Sequence, residues 1–315
     1  GKALTTGAGV LTMSGDTSLY DGATLTVGVG GIAGGGKIDG DDGSHGILKF
    51  YGLVAEDGVG AIGGDFKLSE VEINGDGASI FNKAVRADLL TIGAASDGTA
   101  LNDLAEAIYL TINGNDTTFN NVTATQLTLG ESKGATTNGS LQIGSAILSN
   151  NSVLSIAGEG GTNSGTINGV DDGDGTVKFT ALVENNVGAI GDGKMLGTVE
   201  INTDASKFNA LVSANAINIK GNSTFSDALT ANETLILADN KTISTGGDGK
   251  VFTLNGVATM GHGSKLTVGA GGIAGGGRII GASAHNGNVI FSSVINAGEV
   301  GSVGGSGGPY LESIE

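Results

Sequence analysis

Residues 25–40 read LTVGVGGIAGGGKIDG, and residues 266–281 repeat them as LTVGAGGIAGGGRIIG. The two stretches are identical at 13 of 16 positions and lie 241 residues apart. A more diverged copy, LSIAGEGGTNSGTING, occupies residues 154–169. A pattern kept in order over such distances is typical of a repeat protein and not of a glycine-rich linker. The high glycine content, 60 of 315 residues, therefore belongs to an ordered fold.

The register between the copies continues downstream of these stretches. VGAIG occurs at residues 59–63 and 187–191, and the related VGSVG at 300–304. LSEVEI at residues 68–73 has its counterpart, LGTVEI, at 196–201. These matches indicate one long unit that recurs along the chain.

The long unit gives the domain organisation. We assign long repeats to residues 11–139, 140–251 and 252–315, the third of them truncated, with an insertion near 93–108 in the first. We interpret residues 1–315 as a single β-solenoid excerpted from a longer chain. Residues 1–10 and 300–315 are then not expected to form true caps, and frayed or end-to-end contacts are expected there.

A shorter rhythm of apolar–x–apolar triplets runs through each long repeat, most often 17 to 23 residues apart. Alternation of this kind predicts a strand with one buried face. Asn-Gly and Asp-Gly pairs between the triplets favour turns. The triplets are Leu11/Met13, Leu25/Val27, Leu48/Phe50, Val71/Ile73, Leu90/Ile92, Leu110/Ile112, Leu127/Leu129, Leu141/Ile143, Leu154/Ile156, Val177/Phe179, Val199/Ile201, Ile217/Ile219, Leu235/Leu237, Phe252/Leu254, Leu266/Val268 and Val289/Phe291.

Short strands at this spacing predict an all-β fold, a right-handed parallel β-helix (β-solenoid). A β-sandwich would instead show a strand and a hairpin turn every 8–12 residues or so. We expect the triplets to stack as one in-register sheet, with Leu25, Leu48 and Val71 facing one continuous core. A single stretch, residues 100–108 (ALNDLAEAI), has helical spacing and predicts a short helix inside the insertion.

Charge and composition exclude several classes of function. The formal net charge is −17, from 15 Lys and Arg against 32 Asp and Glu, so the basic surface that nucleic-acid binding requires is missing. No window is apolar enough for a membrane-spanning helix, and the first residues lack the apolar segment of a signal peptide. The chain has no cysteine, so disulfides are not expected.

Two turns in successive long repeats carry clustered carboxylates, which are preferred ligands of calcium. The spacing fits neither an EF-hand nor a nonapeptide calcium repeat, and the third copy, residues 280–283, has no acid. A solvated acidic turn is therefore the favoured interpretation, with calcium as the one cofactor to consider. The candidate ligands are Asp39, Asp41, Asp42, Asp171, Asp172 and Asp174.

The sequence assigns no catalytic residue. His45, His262 and His285 stand alone, without a second ligand or a nucleophile at a useful spacing. A polysaccharide-active β-helix enzyme would need a pair of acids and aromatic platforms, and this chain has four Tyr, nine Phe and no Trp. Two carboxylates can still meet through coiling, so such an enzyme is kept as the least favoured alternative.

The module VGAIG, followed by LSEVEI and Phe81-Asn82 or by LGTVEI and Phe208-Asn209, resembles the passenger repeats of the rickettsial surface cell antigens. Within that autotransporter group it is most similar to the outer-membrane protein B type, and the likeness covers most of the chain. The resemblance implies a right-handed β-helix displayed outside a Gram-negative cell in adhesion or surface coating. No adhesion residue of the family maps onto this sequence.

We therefore expect a bacterial cell-surface or extracellular protein that acts as a passive stalk or adhesin without catalysis. The alternative is a subunit of a self-assembling extracellular filament or surface layer. The expected partners are other copies of the chain, packed end to end or side by side, or a receptor on a host or other surface.

Overall fold

A computed structural model describes residues 1–158, 162–184, 187–292, 300–304 and 310–315, without the side chains of 162–164 and 248. The chain forms two compact units, unit 1 at residues 1–161 and unit 2 at 162–315. Parts of the repeat copy at 154–169 and of the third long repeat lie outside the described residues. The boundary between the units falls inside the second long repeat, so units and long repeats do not coincide.

Unit 1 consists of short strands joined by turns. The strands are β1 (Ala3–Thr5), β2 (Leu11–Thr12), β3 (Thr17–Leu19), β4 (Thr24–Val27), β5 (Ile32–Ala33), β6 (Ile38–Gly40), β7 (Ile47–Phe50), β8 (Leu68–Ile73), β9 (Ile80–Phe81), β10 (Val85–Ile92), β11 (Ala100–Ile112), β12 (Thr117–Leu129), β13 (Gly134–Thr137), β14 (Leu141–Leu148) and β15 (Val153–Ile156).

The turns of unit 1 stack in parallel and form three walls, and a long strand such as β11 contributes to all three of them. Wall A stacks Leu25, Leu48, Val71, Leu90, Leu110, Leu127 and Ala146 in register. Wall B includes the in-register row Phe81, Leu101, Phe119, Thr137 and Ile156. Wall C stacks Ile38, Ile62, Val85, Ala105, Val122 and Leu141.

Unit 2 has the same architecture. Its strands are β16 (Thr162–Gly169), β17 (Asp174–Phe179), β18 (Leu196–Ile201), β19 (Ser206–Phe208), β20 (Val212–Ile219), β21 (Ser223–Phe225), β22 (Leu229–Leu237), β23 (Thr242–Thr245), β24 (Phe252–Leu254), β25 (Val257–Met260), β26 (Lys265–Val268), β27 (Ile273–Ala274), β28 (Arg278–Gly281), β29 (Asn288–Phe291), β30 (Ser302–Val303) and β31 (Ser313–Ile314), with a 3₁₀ turn at Gly247–Gly249.

Three parallel walls enclose the core of unit 2 as well. Wall D stacks Val177, Val199, Ile217, Leu235, Ala258 and Ile279. Wall E contains the pair Phe208 and Phe225 and the row Ile243, Leu266 and Val289. Wall F stacks Ile190, Val212, Leu229, Phe252 and Ile273. The predicted all-β, parallel β-solenoid is thus confirmed in each unit.

Side chains fill the interior of both units. Phe50 of wall A and Phe81 of wall B meet edge to face, with ring centroids 5.7 Å apart. In unit 2, Phe208 contacts Phe179 edge to face at 5.3 Å and stacks on Phe225 at 5.0 Å. All five rings are buried, so burial of large apolar side chains supplies the main driving force for stacking the turns.

The helix predicted at residues 100–108 is wrong, because this stretch is the first part of strand β11. Strand β11 pairs in parallel with β10 on one side and β12 on the other. Leu101, Ala105 and Ala107 point inward, whereas Ile108, which the helical pattern would bury, is 39% exposed. The insertion near 93–108 therefore contributes strand to a regular turn of the solenoid instead of decorating one.

The triplets do not all lie on one wall, which corrects a second expectation. Leu25/Val27, Leu48/Phe50 and Val71/Ile73 are in register on wall A, as predicted. Other triplets lie elsewhere: Leu141/Ile143 on wall C, Leu154/Ile156 on wall B, Phe252/Leu254 on wall F, and Leu266/Val268 and Val289/Phe291 on wall E. Alternation shows that a strand has a buried face, but all three walls have one.

The final glycine of the VGAIG module has a structural reason. Gly63 has a φ of 63° and Gly191 a φ of 68°, a conformation that costs side-chain-bearing residues free energy. A Cβ atom would lie 2.1 Å from the carbonyl oxygen of Arg86 at the first position and of Ser213 at the second. The module therefore marks a corner at which the next turn passes directly over the backbone.

The part of the chain that the structure describes contains no helix long and apolar enough to cross a membrane.

Candidate functional site

Three of the predicted calcium ligands lie at the end of strand β6, with Asp39 inside the strand and Asp41 and Asp42 in the turn that follows it. Asp41 and Asp42 both face His45, with Asp41 Oδ1 2.7 Å and Asp42 Oδ1 3.0 Å from its Nδ1. Asp39 is buried and directed elsewhere, because its Oδ1 accepts a hydrogen bond from the backbone N–H of Asp65 at 3.2 Å. The structure therefore brings Asp41 and Asp42 together with His45 and not with Asp39.

The expectation that His45 stands alone, without a second ligand, is wrong. The sequence DDGSH at 41–45 already places a histidine three and four residues after two acids. The hydrogen bond to Asp41 raises the pKa of His45 and lowers that of Asp41. One imidazole nitrogen and two carboxylates within 4.8 Å of one another form a donor set closer to that of zinc than to the all-oxygen set of calcium.

The second acidic turn, which leads from β16 into β17, is held by one contact within the turn and by two contacts with the next turn. Asp174 Oδ2 accepts a hydrogen bond from the backbone N–H of Asp171 at 3.1 Å. Asp172 Oδ1 accepts one from the N–H of Met195 at 3.0 Å, and its Oδ2 lies 3.7 Å from the Lys194 ammonium. The assignment of both acidic turns to calcium stays a prediction.

Asp172 and Asp39 belong to a wider pattern, in which an Asp or Asn side chain at a corner accepts a hydrogen bond from a backbone N–H 18 to 26 residues later. That separation is one turn, so each contact joins neighbouring turns. The pairs are Asp16 with Lys37, Asp39 with Asp65, Asn74 with Ala95, Asp97 with Asn115, Asn121 with Ser140, Asn168 with Gly193, Asp172 with Met195, Asp204 with Asn222, Asn222 with Thr242 and Asp239 with His262.

Asparagine side chains also form a ladder along one corner of unit 2. The Asn232 amide donates to Asn215 Oδ1 at 3.1 Å, and the Asn255 amide donates to Asn232 Oδ1 at 3.1 Å. The three residues are 17 and 23 positions apart, one turn each. These amides connect turns and are not arranged around a common ligand.

Coiling does bring carboxylates together on wall A. Glu70 Oε1 lies 2.9 Å and Glu72 Oε2 2.8 Å from the ammonium of Lys49 on the preceding turn. Hydrogen bonds to Glu72 and Glu70 raise the pKa of Lys49. The Lys49 ammonium lies between the two acids, so this contact pairs opposite charges on neighbouring turns.

A second charged cluster joins β10 and β11. Glu106 contacts the Lys67 ammonium and lies 2.7 Å from Arg86 Nε, and Arg86 also donates to the carbonyl oxygen of Gly64 at 2.7 Å. Burial raises the pKa of Glu106, but the hydrogen bonds from Lys67 and Arg86 outweigh burial and lower the pKa overall. Both cations contact the one carboxylate of Glu106, so the cluster links neighbouring turns.

Taken one by one, most acidic side chains described above accept a hydrogen bond from the next turn or pair with a cation, and this arrangement stabilises a scaffold. The His45 cluster is the one group of three or more metal-binding side chains among the described residues. In comparisons with known proteins, no family model, no curated protein and no solved structure matches this chain.

Proposed function

We propose that the chain is a structural or adhesive protein of the bacterial cell surface or extracellular space, a passenger-like stalk or adhesin without catalysis. The observation that carries the proposal is that acidic and amide side chains form hydrogen bonds between neighbouring turns, as at Asp172 and Asp204. These groups maintain the solenoid, whereas an enzyme would direct comparable groups at a substrate.

Two further points support this role. In a solenoid each turn packs only on its neighbours, so the fold can be extended by adding turns. That property suits a stalk, which must extend outward from the cell surface. The likeness of the VGAIG and LSEVEI modules to autotransporter passenger repeats points in the same direction.

Surface display is testable on cells that produce the protein. Antibodies raised against the purified chain are applied to intact and to permeabilised cells, and intact cells are treated with an external protease. We expect antibody binding without permeabilisation and loss of the protein on protease treatment, while a cytoplasmic control protein survives. Labelling that appears only after permeabilisation would contradict the proposal.

A subunit of a self-assembling filament or layer is the second candidate. It is favoured by strand β1, where Leu4 is in register with buried Leu25 but is 61% exposed. The outer edge of β1 can accept a further parallel strand, from another turn or from a second copy of the chain. Sedimentation velocity over a wide range of protein concentration tests assembly: a concentration-dependent series of larger species is expected, and a monomer throughout would exclude this candidate.

A further inference from the structure

A polar groove lies on the outer surface of wall B in unit 1. It has a volume of about 650 Å³ and is lined by residues from four successive turns, the earliest being Asp97 and the last Ser155. Its size is that of small-molecule binding sites in general, but its lining is far more polar than theirs.

The groove is open because the side chains at its bottom are small. Thr118, Thr136 and Ser155 form one outward row across β12, β13 and β15, and Gly134 pairs with Val153 in the adjacent row. A Cβ atom at Gly134 would meet a single atom within 4 Å, Asp116 Oδ1 at 4.0 Å. The backbone around position 134 therefore leaves room for a side chain. Such a side chain would fill the groove.

One side of the groove is a fixed row of polar groups. Asp97 Oδ1 accepts a hydrogen bond from the Asn115 amide at 2.9 Å, and Lys133 Nζ donates to Asn115 Oδ1 at 3.1 Å. The Asn115 side chain is bound by Asp97 on one side and by Lys133 on the other, so all three side chains are held in place before any ligand binds. Within the described part of the chain Lys133 forms no ion pair, and its remaining N–H donors are available to a ligand.

Apart from Ala135 and Val153, the lining offers carboxylates, an ammonium, amides and hydroxyls. It has no aromatic ring, so a ligand would be held by hydrogen bonds and not by stacking on a ring. Such a mixture of donors and acceptors matches a ligand whose own groups both donate and accept, as hydroxyl groups do. Polyanions are disfavoured by the net charge of −17 and by Asp97 and Asp116 in the groove. The polar rows recur at the strand spacing of about 4.8 Å, so a ligand that itself repeats can use successive rows.

We propose that this groove binds a neutral oligosaccharide along the solenoid. Asp97, Asn115 and Lys133 hydrogen-bond its hydroxyl groups on one side, and Thr118, Thr136 and Ser155 do so from the bottom of the groove. The site deepens the adhesive role proposed above and rests on it, because it gives that role a ligand class.

The test uses the purified full chain and a matched pair of variants. Gly134→Leu fills the groove, whereas Gly15→Leu adds the same side chain to unit 1 where a Cβ would meet no atom within 4 Å. A printed array of neutral, amino and sulfated oligosaccharides identifies probes, and calorimetric titration with the soluble probe then measures affinity. Melting temperatures of both variants that equal that of the unaltered chain confirm that the fold is kept.

We expect a neutral probe to bind, at least tenfold weaker binding to Gly134→Leu, and unchanged binding to Gly15→Leu. No binding of any neutral probe, preference for sulfated probes alone, or equal binding by both variants would overturn the proposal. Because the assay uses purified protein, a negative result leaves surface display standing, and an internal location of the protein leaves a positive binding result standing.

Discussion

At the scale of single residues, the corner glycines set the path of the chain. Gly63 combines a positive φ with a carbonyl oxygen 2.1 Å from where a Cβ would lie. Replacing it by alanine should cost about 1–2 kcal/mol for the left-handed conformation alone, and more for the displaced strand β10. We expect Gly63→Ala to lower the free energy of unfolding in urea by 2 kcal/mol or more.

Gly43→Ala is the control for this experiment. Gly43 lies in the turn after β6, has no positive φ, and a Cβ there would meet no atom within 4 Å. Its substitution should change the unfolding free energy by less than about 0.5 kcal/mol. Equal effects of the two substitutions would show that the close approach at Gly63 is not a constraint.

The His45 cluster predicts a pH response at one residue. The hydrogen bond to Asp41 raises the pKa of His45 in the folded chain. The contact therefore stabilises the fold fully below the ordinary histidine pKa, and the stabilisation is lost as pH rises through the raised value. We expect NMR titration to give His45 a pKa above its usual 6.5, and Asp41→Asn to lower it.

Asp42→Asn separates the contributions of the two acids in this turn. Asp41 makes the shorter contact with His45 Nδ1, so Asp41→Asn should lower the histidine pKa more than Asp42→Asn does. An unchanged His45 titration in both variants would refute the contact.

At the scale of strands, the phenylalanine stack of unit 2 connects walls D and E. Phe208 lies between Phe179 and Phe225 and is buried. Removal of a buried phenylalanine side chain costs about 3–5 kcal/mol, since both transfer and cavity contributions are lost. We expect Phe208→Ala to lower the unfolding free energy by that amount, measured by urea unfolding.

Phe66→Ala provides the comparison, because Phe66 is 44% exposed. Its substitution should cost clearly less than that of Phe208, since nearly half of the Phe66 surface is already exposed to solvent. A small effect at both positions would show that the stack does not hold the turns together.

The ion cluster between β10 and β11 gives an acid-dependent prediction. Glu106 is held by Lys67 and Arg86, which lower its pKa. A carboxyl with a lowered folded-state pKa stabilises the fold above its ordinary pKa and loses that contribution as pH falls through the lowered value. We expect Glu106→Gln to cost about 1–3 kcal/mol at pH 7, and less as the pH falls below the ordinary glutamate pKa.

Glu56→Gln is the matched change at an exposed acid in the same unit. It should leave the unfolding free energy nearly unchanged at neutral and at acidic pH. A penalty for Glu106→Gln that did not shrink on acidification would assign its effect to packing and not to charge.

The sequence predicted the class of these elements better than their positions. Alternation with polar residues predicted strands at Leu25, Leu48 and Val71, and the spacing of these strands along the chain predicted their parallel stacking. Residues 100–108 fit a helical period as well as they fit a strand. Pairing with β10 and β12 makes this stretch a strand, and the local sequence does not show that pairing. The contact of His45 with Asp41 is local and could have been predicted; the groove depends on residues from four turns and could not.

At the scale of the whole molecule, the net charge of −17 opposes compaction. Its ion pairs are mostly exposed or half-buried, and such pairs contribute about 0–1 kcal/mol each. Screening the overall repulsion should therefore outweigh weakening of these pairs. We expect the melting temperature to rise as NaCl is increased at neutral pH.

A comparison of CaCl₂ with NaCl separates screening of the net charge from specific binding of calcium. Asp172 and Asp39 each accept a backbone hydrogen bond, and Asp172 also lies near Lys194, so part of the ligand capacity of both carboxylates is already used. We expect CaCl₂ to raise the melting temperature no more than NaCl at the same ionic strength. A ligand that binds only the folded chain must add stability beyond screening, so a larger rise with calcium that Asp172→Asn or Asp41→Asn abolishes would establish a calcium site at that turn.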